Sequence, residues 1–417
     1  RWAMKYEKNE PMPGVLDNSC KKCEFRASPD SSLKSGFTEC WSQQIGEEKS
    51  KKPMVFDIWN YSKSKKLIAE NKFLAENLAE DDVNPKEDDK HGMSASERRW
   101  LQVKSIKDSS ESPFLDCIGL LKESENWVYP LHFIDFETTM TALPFNKGRR
   151  PYEQIAFQFS HHTLSESGKI EHVDEYLNTR LGVFPNFDFL RSLQKSLSND
   201  NGSIFRYAPH ENTVLCQIYT QLESSNEPDK QNLMAWIKTV TKTTSSMEEN
   251  WEGDRCMIDM WELVKRYYFH PHTKGSNSIK QVLPATLIAS RSLQEKYSKP
   301  IYGREIKSLN FENKSWLKRD ENGCIIDPYK QLPPIFYGID NEKIDFTLFD
   351  GDELADGGAA MTAYAQMQFS QMSELERENL KKALLKYCEL DTLAMVMIMR
   401  SEEHTSELQS PCNLVCR

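Results

Sequence analysis

Leu131-His132-Phe133-Ile134-Asp135-Phe136-Glu137 is an apolar run that closes on two carboxylates with one residue between them. Side chains in a strand alternate between faces, so residues two apart project the same way. As a strand, this run delivers Asp135 and Glu137 side by side at its end. Carboxylates held that close repel each other unless a cation lies between them. Hard oxygen donors of this kind suit Mg²⁺ or Mn²⁺. Taken alone, the pattern is weak and fits a strand running out into solvent better, so the rest of the chain has to decide.

From Trp127 onward the pattern favours strands. Val128–Phe136, Gln154–His161 and Ile170–Leu177 are rich in Phe, Ile, Tyr and Val, with turns at Asn146-Lys147-Gly148 and Ser165–Gly168. Phe187–Leu197 reads as a helix, Ser203–Tyr207 as a short strand and Glu211–Leu222 as a helix. That order suits an α/β fold, a mixed sheet flanked by helices, rather than a barrel. Ser373-Glu374-Leu375-Glu376 is a capping box opening a helix that runs to about Met399. Leu380, Leu384, Tyr387, Asp391 and Met395 fall on one stripe of it. A charged Asp in that stripe is costly unless something positive faces it.

Three acidic clusters therefore occur in order. Asp135 and Glu137 end a strand. Glu211, after Pro209 and His210, enters the first turn of a helix, where the dipole favours a carboxylate. Tyr387 and Asp391 lie four apart on one helical face. Such a layout can hold two metal ions about 4 Å apart. Asp259, just before the helical Trp261–Tyr267, reads as an N-cap in preference to a ligand.

The net charge of −10 excludes a basic nucleic-acid coat, so any such binding rests on local patches or bound metal. No apolar run reaches membrane-spanning length and no signal peptide is visible. Cys117, Cys216, Cys256, Cys324 and Cys388 are scattered without paired spacing, as in a reducing cytoplasm. Cys20-x2-Cys23, followed by Cys40, is different, because a C-x2-C turn brings two thiolates together for a tetrahedral metal. Residues 46–125 read as a helical, charged connector, with a helix over Lys65–Leu78 and a polar linker over Asn84–Ser96.

The order and spacing of the acidic clusters resemble the DEDD superfamily of 3′→5′ exonucleases, in its tyrosine-bearing subclass, on a ribonuclease H-like fold. More narrowly, Tyr129–Thr138, Ile155–Ser160, Gly275–Pro284 and Tyr387–Val396 resemble the bacterial family called domain of unknown function 2779. The likeness covers about 127–399. It implies that Asp135, Glu137, Glu211 and Asp391 bind two Mg²⁺ or Mn²⁺ ions while Tyr387 orients the attacking water. Glu211 departs from the superfamily, which usually has Asp there, and its longer side chain shifts the geometry. His210 would sit behind the ligands or stack on a base. Lys147, Arg149, Arg150 and Lys280 would hold phosphates, although each also fits a plain surface charge.

The expected substrate is single-stranded DNA or RNA, in DNA repair or defence. Two other readings stay open, a ribonuclease maturing structured RNA and a catalytically weak module that binds nucleic acid. The amino-terminal segment resembles the carboxy-terminal cysteine cluster of RecB-like, CRISPR-associated exonucleases. That likeness implies an iron–sulfur (4Fe–4S) cluster on Cys20, Cys23 and Cys40, with a fourth cysteine upstream; Zn²⁺, or no metal, are the alternatives. At the other end, Arg400–Ser410 and Asn413–Arg417 resemble the translation of a sequencing adapter, with Pro411-Cys412 filling its index. The expected division is a cysteine-cluster fragment over 1–45, the connector over 46–125, the exonuclease-like domain over 126–399 and an exposed artefact over 400–417. Both natural ends are expected to be missing.

Overall fold

The computed structural model describes residues 2–10, 14–27, 33–245, 247, 249–332, 354–369 and 372–401. It divides into two compact units, Arg1–Leu115 with Lys265–Ser276, and Asp116–Val264 with Asn277–Arg417.

The first unit does not keep 1–45 apart from 46–125, because one apolar cluster runs from Phe37 through Met54, Phe56 and Leu74 to Val103. Trp41 is its centre, with ring centroids 6.0 Å from Phe37, 5.8 Å from Phe56 and 5.5 Å from Phe73. Each fully buried aromatic or aliphatic side chain of this kind stabilises the fold by roughly 1.5–3 kcal/mol. The expected helix over Lys65–Leu78 is broken into Ser64–Ala69 and a 3-10 turn at Ala75–Asn77. Asn71 takes a left-handed φ of 60°. Beyond it Val55 N–H donates to the Phe73 carbonyl, and Ala75 N–H to that of Pro53. Tertiary pairing here overrides helix propensity. Asn84–Ser96 is not a bare linker either, since Asp88 pairs with Arg266 at 2.9 Å and Ser94 caps the helix Ala95–Lys107.

The second unit is built on a five-stranded sheet. Its strands are β1 (Leu131–Thr139), β2 (Ile155–Leu164), β3 (Ile170–Leu177), β4 (Ile204–Arg206) and β5 (Ile258–Asp259). The spatial order is β3-β2-β1-β4-β5. The hairpin-linked strands are antiparallel, whereas β4 and β5 run parallel to β1. Alternation along β1 separates two faces. Ile134 and Phe136 enter a core with helices α1 (Asn186–Leu197), α2 (His210–Glu223) and α3 (Lys230–Val240). Asp135 and Glu137 turn to the opposite face, where their pairing partners on β2 are Ser160 and Gln158.

That opposite face carries α5 (Glu374–Arg400), an element introduced by the predicted capping box, with Ser373 Oγ accepting from Glu376 N–H. Its middle, Tyr387–Ile398, is buried on every side. Helix α4 (Leu354–Phe369) completes this layer, with Tyr364 stacked on Phe157 at 4.1 Å between ring centroids. Arg400 and Ser401 continue from α5, and Arg400 donates to the Gly168 carbonyl at 2.7 Å. The rest of the expected artefact, 402–417, lies outside the described residues.

Candidate functional site

Strand alternation, a strand-to-helix junction and a buried helix bring four carboxylates together. Asp135, Glu137 and the Cys388 thiol each offer a donor atom within 4.8 Å of the others. The carboxyl of Asp135 is pushed well above the usual carboxylate range, by burial first and then by the charges of Asp391, Glu137 and Glu211. All three other acids are thus within electrostatic reach of it. Glu137, Glu211 and Asp391 are at most 6% exposed, so water screens little of this repulsion.

Glu211 is delivered by the junction after β4. Asp259 Oδ1 accepts from the N–H of Ala208 and that of Trp261, both at 3.0 Å, and its Oδ2 takes Arg206 Nη1 at 2.9 Å. Asp259 is therefore the cap expected from sequence, and it also pins Ala208 at a left-handed φ of 77° just before α2. Burial lifts the Glu211 carboxyl to about 8, against hydrogen bonds from its own N–H and that of Phe136 on β1 and the pull of Arg206. Its Oε2 is buried and has no hydrogen-bond partner. An orphaned carboxylate oxygen within electrostatic reach of Asp135, whose own carboxyl sits with that of Glu137, is a donor set that a hard divalent cation fits.

Tyr387 and Asp391 sit one turn apart on α5 as predicted, and both meet residues that the sequence had not marked for these contacts. Lys280 donates from Nζ to the Tyr387 hydroxyl. Its ammonium lies 5.0 Å from the Tyr387 ring and 5.5 Å from the ring of Tyr329. The Tyr329 hydroxyl donates to Asp391 Oδ1. Burial, then Asp391, holds that phenol well above its ordinary range, so it remains a donor. Cys388 was also missed. Its thiol, raised by burial and by Asp135, donates to Asp135 Oδ2 at 3.4 Å. No signal beyond the adjacency of Cys388 to Tyr387 could have found it, and none at all points to Tyr329.

A second polar group, His172, Glu175 and Glu389, also has donor atoms within 4.8 Å of one another. Its carboxylates are already committed. Glu389 accepts from Tyr302 at 2.6 Å, from Ser308 and from Asn310 at 2.8 Å, and lies 3.2 Å from His172 Nδ1. Burial raises the Glu389 carboxyl, but His172, Ser308 and Tyr302 outweigh it and the net displacement is downward. Thr392, on the same helix, bonds Ser160 at 2.8 Å and His162 at 2.7 Å. These contacts fix the rotation of α5 and so aim Tyr387 and Asp391.

The other predicted residues divide. His210 is exposed and bonds Thr138 Oγ1 at 3.1 Å, beside the end of β1. Lys147 and Arg150 are exposed on the segment between β1 and β2. Arg149 is committed elsewhere, paired with Glu153 at 2.6 Å and stacked 3.6 Å over Phe184, so it is not poised for phosphate. Cys20 and Cys23 pack against the apolar cluster of the first unit. Among the described residues they do not form, with Cys40, a group of three sulfurs within 4.8 Å.

Sheet and site together define a mixed α/β domain carrying a buried carboxylate centre. Residues 132–278 match a family model described as Domain of unknown function (DUF2779). The matched stretch contains Asp135, Glu137 and Glu211 but ends before Lys280, Tyr387 and Asp391. Comparison with curated proteins and with solved structures gave no match. Among the described residues no helix is long and apolar enough to cross a membrane.

Proposed function

We propose that this protein is a metal-dependent 3′→5′ exonuclease acting on single-stranded nucleic acid. The observation that carries the reading is that Glu137, Glu211 and Asp391, all buried, lie within electrostatic reach of the half-buried Asp135, with Glu211 Oε2 unpartnered. The mixed sheet with the first two acids on its central strand supports the ribonuclease H-like fold that the motifs imply. Asp135, Glu137, Glu211 and Asp391 would hold two Mg²⁺ or Mn²⁺ ions, which supply an acidified water and stabilise the leaving oxygen. Lys280 donates to the Tyr387 oxygen, and the Tyr387 hydroxyl would orient the attacking water. The Lys280 ammonium also adds positive charge where a phosphate would lie. Because burial raises the carboxyls of Asp135 and Glu211, loading the site displaces protons, and affinity for metal rises with pH.

The test is the full chain with single-stranded DNA and RNA labelled at the 5′ end. Mg²⁺ or Mn²⁺ should yield a ladder shortened from the 3′ end, and EDTA should stop it. Asp135→Asn should abolish cleavage, since an amide cannot offset metal charge, while Tyr387→Phe should only slow it. Binding of nucleic acid with no nucleotide released by either metal would leave the binding-module reading.

A further inference from the structure

Tyr329 lies about sixty residues before Asp391 in the chain, yet it is built into the carboxylate centre. Asp327 opens the turn Pro328–Gln331, its side chain accepting from Tyr329 N–H at 3.0 Å. Gln331 closes it, Nε2 donating to the Trp316 carbonyl at 2.8 Å, and Trp316 is fully buried. The turn is thus tied down at both ends, and it presents the Tyr329 hydroxyl to Asp391 Oδ1. Asp391 is 6% exposed, so water offers little alternative to this donor.

We infer that Tyr329 is a positioning residue of the centre, holding the Asp391 carboxylate in one orientation within electrostatic reach of Asp135. Hydrogen bonds to a ligating carboxylate fix its rotation, and their loss typically weakens metal affinity about 10–100-fold. The inference rests on Asp391 being a ligand, as proposed above. It adds the segment 327–331 to the site and explains why a tyrosine, not a phenylalanine, fills this position.

Titrating Mn²⁺ into the metal-free full chain by calorimetry tests it. Tyr329→Phe, which removes one oxygen, should bind Mn²⁺ about 10–100-fold more weakly. Gln331→Ala, which loosens the turn but keeps the hydroxyl, should weaken binding in the same direction by less. Lys330→Ala, on the exposed side of the same turn, should bind as the wild type does. Thermal melts of the metal-free proteins separate positioning from packing, because a structural role lowers stability without changing affinity. Equal Mn²⁺ affinity in the wild type, Tyr329→Phe and Gln331→Ala would overturn the inference and leave the metal reading intact. A wild type that takes up no Mn²⁺ would overturn both.

Discussion

Replacing Glu211 by Gln should stabilise the metal-free protein at neutral pH. Burial lifts this carboxyl from 4.5 to about 8, with Asp259 adding to the rise and Arg206 and two backbone N–H groups opposing it. Above pH 4.5 the unfolded chain releases a proton that the folded chain keeps. Stability rises with pH only where the unfolded state binds more protons, so here it falls as pH rises, until the folded group also ionises. One pH unit corresponds to about 1.36 kcal/mol, and about 2.5 units separate 4.5 from neutrality, so the loss at pH 7 is about 3 kcal/mol. Above pH 8 it levels off at about 4–5 kcal/mol. Gln keeps the shape without the charge and should show no such slope. Urea unfolding in EDTA, at about pH 5, 7 and 9, reads the difference. The two proteins should agree within about 1 kcal/mol near pH 5 and diverge by about 3 kcal/mol at pH 7. Parallel pH profiles would refute the buried, proton-holding Glu211.

On the proposed nuclease reading, Glu211→Asp supplies the residue usual in the superfamily that the motifs resemble, so nucleotide release per minute with Mn²⁺ should survive and rise. Asn310→Ala removes the amide that bridges Glu175 at 2.6 Å and Glu389 at 2.8 Å, leaving two neighbouring carboxylates short of a donor. Denaturant unfolding should show a loss of about 2–3 kcal/mol. Trp41→Ala empties the centre of the first unit and should cost about 3–5 kcal/mol, read from the same unfolding curves.

The strands, the Glu211 junction and the capped helix α5 were legible because each carries a local rule: alternation, a turn before a helix, or a capping box. Asp135, Glu137 and Asp391 were legible as acids that apolar patterns should not contain. Tyr329 was not, since a lone tyrosine in an Asp-Pro-Tyr-Lys turn has no periodicity and its partner is distant in sequence. Glu389 was hidden for a related reason, its donors coming from β3 and from the segment around Ser308 and Asn310. The first unit was misread because its helices are short and its core is assembled by backbone pairing between 53–55 and 73–75. Arg149 looked basic and available, but sequence does not show that Glu153 and Phe184 occupy it.

Helix α5 imposes a restriction that no single contact does. Successive residues on a helix differ by about 100° in direction. Tyr387, Cys388, Glu389, Asp391 and Thr392 each have a distinct polar seat around that circle. One inserted residue between Leu384 and Tyr387 would turn every later side chain by a full step, swinging Glu389 out from under its donors and carrying Asp391 away from Tyr329. Deleting one would do the reverse. This helix can therefore vary by substitution but not in length, and its spacing from the capping box to Asp391 is as much a part of the site as the carboxylates themselves.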